Sequence, residues 1–258
     1  MATNTPLLEL RGVSKRFGAV QALSAVDFAA HTGQVTALVG DNGAGKSTLI
    51  KTISGINTYD EGEYLFDGKP VHVTGPQSAT ALGIATVYQD LALCDNLDVV
   101  ANLYLGREET GGSRLLNETA MEREASSVLK RLAVRIPSVR TQVASLSGGQ
   151  RQGVAIARSM LGKPRMVVLD EPTAALGVAQ TAQVLNLIRR LRDQGLAVVV
   201  ISHNLADVFQ VADRIEVLRL GKHVAAFDAR ETSSDEVVSA ITGAKAGDEK
   251  APVEVSEE

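Results

Sequence analysis

The apolar run Val35-Thr36-Ala37-Leu38-Val39 is followed at once by Gly40-Asp41-Asn42-Gly43-Ala44-Gly45-Lys46-Ser47 and then by Thr48 to Ile53, a stretch able to form a helix. Strand, glycine-rich octet and helix in that order leave few folds open, because the pattern G-x-x-x-x-G-K-[ST] builds a loop that wraps an anion. Glycines let the backbone approach closely, successive N–H groups point inward, and the helix start adds positive partial charge. A triphosphate fits such a cradle. Lys46 would neutralise its β and γ phosphates while the Ser47 hydroxyl ligates Mg²⁺. An ordinary glycine-rich turn would leave the Lys-Ser pair at that place unexplained.

The octet sits in an α/β chain. Further apolar runs, Arg165 to Leu169 and Leu196 to Ser202, alternate with helical patterns, which predicts a parallel sheet covered by helices. Leu7 to Ala30 reads instead as alternating strands about a turn at Phe17-Gly18, so an antiparallel β lobe precedes the parallel sheet. From Leu97 to Leu161 the pattern is mostly helical. Met121 to Ala133 carries apolar residues at Ala125, Val128, Leu129 and Leu132, close to one helix face, and this region is expected to be a helical insertion. Gly111-Gly112-Ser113 is an expected loop within it. One domain is expected over residues 1–243, with 244–258 a flexible charged tail too poor in large apolar residues to offset the entropy of ordering.

The bulk numbers exclude several classes. No apolar run reaches the roughly eighteen residues of a membrane span, and Met1 to Arg11 lacks the layout of a signal peptide, so a cytoplasmic location is expected. A net charge of −4 gives no general pull toward nucleic acid or anionic lipid. The single cysteine, Cys94, excludes an internal disulfide and a cysteine metal cluster, and reads as a small core residue.

Met166-Val167-Val168-Leu169 ends in Asp170-Glu171, placing two acids at the carboxyl end of a buried strand, where ligands of parallel sheets collect. Asp170 would hold Mg²⁺ directly or through water, and Glu171, on the other side of the chain, would polarise a water for attack on the γ phosphate. Ser202-His203 ends the next apolar run, Ala197 to Ile201, in the same manner. A histidine there can contact the γ phosphate or orient water, and can equally be a local structural hydrogen-bonder. Gln89, closing Ile84 to Tyr88, is either a turn residue or a contact to Mg²⁺ or water. Ser145-Leu146-Ser147-Gly148-Gly149-Gln150 is a second glycine-rich break before a helical run, Arg151 to Leu161, and makes another anion-binding helix start.

In this order, the loop Gly40 to Ser47, Gln89, Leu146-Ser147-Gly148-Gly149-Gln150, Asp170-Glu171 and His203 resemble the nucleotide-binding domain of ATP-binding cassette proteins, from about Leu7 to Gly243. The resemblance implies a P-loop NTPase core with an inserted helical signature subdomain, and ATP with Mg²⁺ as ligands. ATP contacts would come from Gly40, Asp41, Asn42, Gly43, Ala44, Gly45, Lys46, Ser47 and Thr48, with Phe17 stacking on adenine. It implies that two copies pair head to tail, so that Ser147, Gly148, Gly149 and Gln150 close over the γ phosphate held by the other copy. Glu171 becomes the general base, with Lys46, His203 and Gln89 completing the catalytic set and Ser47, Gln89 and Asp170 holding the metal. One departure stands out. The family usually has an aspartate where this chain has Gly177, in Ala174-Ala175-Leu176-Gly177, which puts the coupling of the two sites in doubt.

Val87-Tyr88-Gln89-Asp90-Leu91-Ala92-Leu93, Asn96-Leu97-Asp98-Val99-Val100 and Asn102-Leu103-Tyr104-Leu105-Gly106-Arg107 are similar to the ATPases of simple-sugar importers for ribose, xylose or fructose. The implied partners are a second copy of the chain, transmembrane permease subunits and, indirectly, a periplasmic or lipid-anchored sugar-binding protein, with the chain peripheral on the inner face of the cell membrane. No Trp and 3% aromatics give no sugar cleft of its own. Two other readings remain: a soluble cassette ATPase acting on nucleic acid or the ribosome, which no basic stretch or coiled-coil arm favours, and a regulatory subunit that binds ATP but hydrolyses it poorly, motivated by Gly177 alone.

Overall fold

A computed structural model describes residues 5–111 and 115–244 of the chain. It opens with β1 (Leu8–Phe17), β2 (Val20–Ala30) and β3 (Val35–Val39), then α1 (Lys46–Ile53), β4 (Glu61–Phe66), β5 (Lys69–Pro70), α2 (Pro76–Ala81) and β6 (Ile84–Val87). A helical stretch follows: α3 (Val99–Tyr104), α4 (Glu118–Arg131) and α5 (Gly148–Met160). The chain then returns to alternation with β7 (Met166–Asp170), α6 (Val178–Asp193), β8 (Ala197–Ile201), α7 (Leu205–Val211), β9 (Arg214–Arg219), β10 (Lys222–Asp228) and α8 (Ser234–Thr242).

The strands form two sheets, an antiparallel one in the order β2-β1-β4-β5 and a six-stranded one in the order β10-β9-β3-β8-β7-β6. The larger is parallel except for β10, which pairs antiparallel with β9. Its central strands read as unbroken apolar runs because both faces are covered. In β7, Val167 and Leu169 face one core and Met166 and Val168 the other; in β8, Val198 and Val200 are set against Ala197, Val199 and Ile201 in the same way. One core joins the sheet to α3–α6, the second joins it to α1 and the antiparallel lobe, and a smaller third lies under α7 and α8.

The helical stretch shares its core with the sheet: Leu103, Val128, Leu129 and Ile156 lie in one cluster with Val167, Leu169 and Val198. α5 is the shared element, packing on α3 and α4 at one side and on α6 and β6 at the other. Two antiparallel features carry no signal in the apolar pattern of the sequence, the β4–β5 edge and the β9–β10 hairpin. β4 begins with the exposed Glu61, Gly62 and Glu63, and β10 is alternately exposed, so neither reads as an apolar run. Cys94 is half-buried rather than a core residue. Of the expected loop at Gly111 to Ser113, Gly112 and Ser113 lie outside the described residues, as does the expected tail from residue 245 onward. Among the described residues, no helix is long and apolar enough to cross a membrane.

Candidate functional site

The glycine octet leaves the carboxyl end of β3 in the middle of the sheet. Gly40, Gly43 and Gly45 all have positive φ, at 151°, 78° and 103°. Gly45 is the N-cap of α1, so the loop ends at a helix N-terminus with free N–H groups. The Nζ of Lys46 donates to the carbonyls of Gly40 at 2.7 Å and Asp41 at 3.0 Å, arching back across the loop. Burial lowers the Lys46 pKa, against the opposing pull of Glu171, Asp41 and Asp170. Glu171 and Asp170 come near the loop because β7 lies two strands from β3, with β8 between them.

Asp170 is the last residue of β7, and its pKa is raised by burial first and by the charge of Glu171 second, with Lys46 acting the other way. Glu171 takes a left-handed backbone, φ 48°, with its N–H donating to Ile201 O at 3.0 Å, so the chain turns sharply as it leaves the sheet. The Oε2 of Glu171 lies 2.9 Å from Nδ1 of His203, and Glu171 is largely buried whereas His203 is exposed. The structure therefore joins Glu171 to His203, the strand-end residues of neighbouring β7 and β8. Thr173 Oγ1 donates to the buried Asp207 carboxylate at 2.8 Å and ties this turn to the first turn of α7.

The second glycine break starts α5. Ser147 is its N-cap and forms a capping box with Gln150: Gln150 N–H donates to Ser147 Oγ, and Ser147 N–H donates to Gln150 Oε1. Gln150 Nε2 donates onward to Arg135 O at 2.9 Å, so this amide braces the turn from both ends. Gly148 and Gly149 lie under the start of α6: a Cβ on Gly148 would stand 2.8 Å from Leu176 Cδ2, and one on Gly149 3.1 Å from Gln180 Cβ. Only glycines let the turn lie this close to Leu176 and Gln180. Ser147 remains exposed at the helix start.

Residues 23–174 match the ABC transporter family. The chain belongs to that family. It is 47% identical over 236 residues to the xylose/arabinose import ATP-binding protein XylG of Sulfolobus acidocaldarius, covering 92% of this chain and 94% of the relative. It is 45% identical over 247 residues to the fructose import ATP-binding protein FrcA of Rhizobium meliloti, covering 93% and 95%. Among solved structures it resembles a dimeric post-hydrolysis state of the ATP-binding cassette MJ0796 bound to ADP and Pi, with a TM-score of 0.72 at 25% identity over 87% of this chain and all of that one.

Within this ABC cassette, Phe17 is 47% exposed at the tip of the β1–β2 hairpin, with Lys15 Nζ 5.5 Å from its ring centroid. It is therefore no core residue. Gln89 is exposed just beyond β6. The loop after it is held by two residues whose part here is not marked by any sequence motif. Asn102, fully buried in α3, accepts from Cys94 N–H at 2.7 Å and donates to the carbonyls of Cys94, Leu97 and Asp98. Arg158 of α5 donates to the Leu91 and Ala92 carbonyls, each at 2.7 Å, and burial lowers its pKa. Asn102 falls within the sugar-importer-like segment, so its place was marked by resemblance while its role was not.

Proposed function

We propose that this cassette is the ATP-hydrolysing subunit of an importer of simple sugars. The observation that carries the hydrolytic part is the contact between Glu171 and His203 at the ends of adjacent strands, beside the loop that holds Lys46. The sugar assignment is supported by similarity along nearly the whole length of two sugar-import ATP-binding proteins.

In this reading Gly40 to Thr48 cradle the triphosphate. Lys46 exchanges its two loop carbonyls for phosphate oxygens, and Phe17 offers an exposed face to the base. Glu171 takes a proton from the attacking water, while the His203 ring holds that carboxylate in place. Ser47, Asp170 and Gln89 would hold Mg²⁺ through hydroxyl, carboxylate and amide oxygens, the hard donors that suit this ion. Asp170, whose pKa is raised by burial and by the charge of Glu171, would be favoured in its ionised form by a divalent cation beside it. When bound, the ion neutralises charge developing on the phosphates.

Each site is completed by a second copy, whose Ser147 and following amides face the γ phosphate. The pair works against transmembrane permease subunits, from a peripheral position on the inner face of the membrane. The test is Glu171→Gln. It is expected to bind ATP, to run as a stable dimer in ATP on size-exclusion chromatography, and to lose hydrolysis by about 10²–10⁴-fold. Unchanged steady-state hydrolysis would remove Glu171 as the base.

A further inference from the structure

The β9–β10 hairpin turns on two residues, Leu220 and Gly221, both with positive φ, at 49° and 75°. This is the tight turn whose twist suits two antiparallel strands. It lies directly against the phosphate loop. Gly221 N–H donates to Ala44 O at 3.0 Å, and Gly221 C=O accepts from Ser24 N–H of β2 at 2.8 Å. One residue thus links the hairpin, the antiparallel lobe and the loop through its backbone alone.

The same seam excludes side chains. A Cβ on Gly221 would stand 2.8 Å from Ala22 O. One on Gly45 would meet that same oxygen at 2.8 Å and Gly221 Cα at 3.4 Å, and one on Gly40 would lie 2.2 Å from Leu218 O at the end of β9. Ala44, between them, is 3% exposed. At Gly40 and Gly45 the loop is therefore seated against backbone of β9, β2 and the hairpin turn, with the Leu23 side chain also beside Gly45.

The bond from Gly221 has a directional consequence. In a trans peptide the C=O and the following N–H point opposite ways. Drawing Ala44 O toward the hairpin turns the Gly45 N–H away from it, and Gly45 is the N-cap of α1, whose start forms the anion site. We propose that Gly221 is a positioning residue for nucleotide binding, its N–H fixing the Ala44–Gly45 peptide plane and its missing side chain letting the hairpin seat against the loop. The proposal rests on the reading of Gly40 to Ser47 as the nucleotide loop.

The test compares the Kd for a fluorescent ADP analogue, and KM against kcat for ATP, in the full chain and three variants. Gly195→Ala is the control for backbone strain, since Gly195 has φ 84° with nothing within 4 Å of a built Cβ. Gly221→Ala introduces similar strain plus the collision with Ala22. The expected result is a Kd and KM raised on the order of ten-fold or more in Gly221→Ala with kcat largely retained, and values within about two-fold of wild type in Gly195→Ala, since small misplacements of a site translate into large losses. Wild-type Kd in Gly221→Ala, or equal losses in both glycine variants, would overturn the proposal. Lys46→Ala separates the two readings: an unchanged Kd there defeats the nucleotide-loop assignment itself, whereas a weakened Lys46→Ala beside a normal Gly221→Ala defeats only the role of Gly221. Should Gly221→Ala fail to fold, hydrogen exchange on the wild-type protein decides. The Gly221 amide is expected to exchange more slowly with ADP bound while the amide of Gly195 does not change, and an unchanged Gly221 rate overturns the proposal.

Discussion

Replacing Asn102 by Ala should destabilise the chain by about 2–4 kcal/mol. Its carboxamide is fully buried and bound to backbone alone: Oδ1 accepts from Cys94 N–H, and Nδ2 faces the carbonyls of Cys94 and Asp98 at 3.0 Å and of Leu97 at 3.3 Å. An amide has two N–H donors, so the site contains about three full hydrogen bonds, each worth roughly 0.5–1 kcal/mol net, and Cys94 N–H is left without a partner at a further ~1–3 kcal/mol. Water reaching the half-buried Cys94 offsets part of that sum. At ~2–4 °C per kcal/mol for a chain of this size, the melting temperature should fall by about 4–16 °C, and the urea midpoint should fall with unchanged slope. Asn102→Asp sharpens the test. It has the same shape and keeps the acceptor for Cys94 N–H, but turns a second oxygen toward three carbonyls. At pH 7 it should be at least as unstable as Asn102→Ala, and it should recover as the pH falls, because a protonated carboxyl regains one donor. An Asn102→Ala loss below ~1 kcal/mol, or an Asp variant as stable as wild type at pH 7, would refute the reasoning.

Other outcomes follow from the same geometry. His203→Ala should leave stability nearly unchanged, because the ring is 71% exposed, while ATP turnover drops by about 10²–10⁴-fold and nucleotide affinity holds; retained turnover would separate His203 from the Glu171 function. His223, whose Nε2 lies 2.6 Å from Glu216 Oε2, has a raised pKa through that close pairing with the Glu216 carboxylate. Its contribution to stability is therefore full below the ordinary histidine pKa and lost as pH rises through the raised one, so the melting-temperature gap between wild type and His223→Gln should be widest in acid and close in base, and a gap that widens with pH would contradict the pairing. Gly177, the N-cap of α6, has φ −71° and open space where a Cβ would stand, so Gly177→Asp should fold normally with stability raised by a few tenths of a kcal/mol at most. It should tighten ATP-dependent dimerisation measured by light scattering; an unchanged dimer constant would show that the glycine does not set the coupling.

What the sequence revealed of the site follows from how locally its chemistry is written. Eight contiguous residues build the phosphate loop, and each strand-end acid or histidine is marked by the apolar run before it. Gln89 closes an apolar run and Ser147–Gln150 is a local capping pattern, whereas a stacking role for Phe17 comes only from the family resemblance. Asn102, Arg158, Asp207 and Gly221 were not visible as parts of the site, because their partners are set by tertiary packing. Arg158 reaches back to Leu91, and Gly221 meets Ala44 only once β9 has paired with β3. The fold followed the same division. Strands buried on both faces were evident, whereas β4, exposed over its first three residues, and β10, an alternately exposed edge strand, carry mixed polarity and escape a search for apolar runs.

The central claim is tested most directly by transport. Inside-facing ATP should drive uptake of radiolabelled xylose, ribose or fructose into vesicles that hold this chain, its permease and a sugar-binding protein, with one sugar taken up and uptake abolished by Glu171→Gln. No uptake of any sugar by a chain that still dimerises with ATP would contradict the importer account.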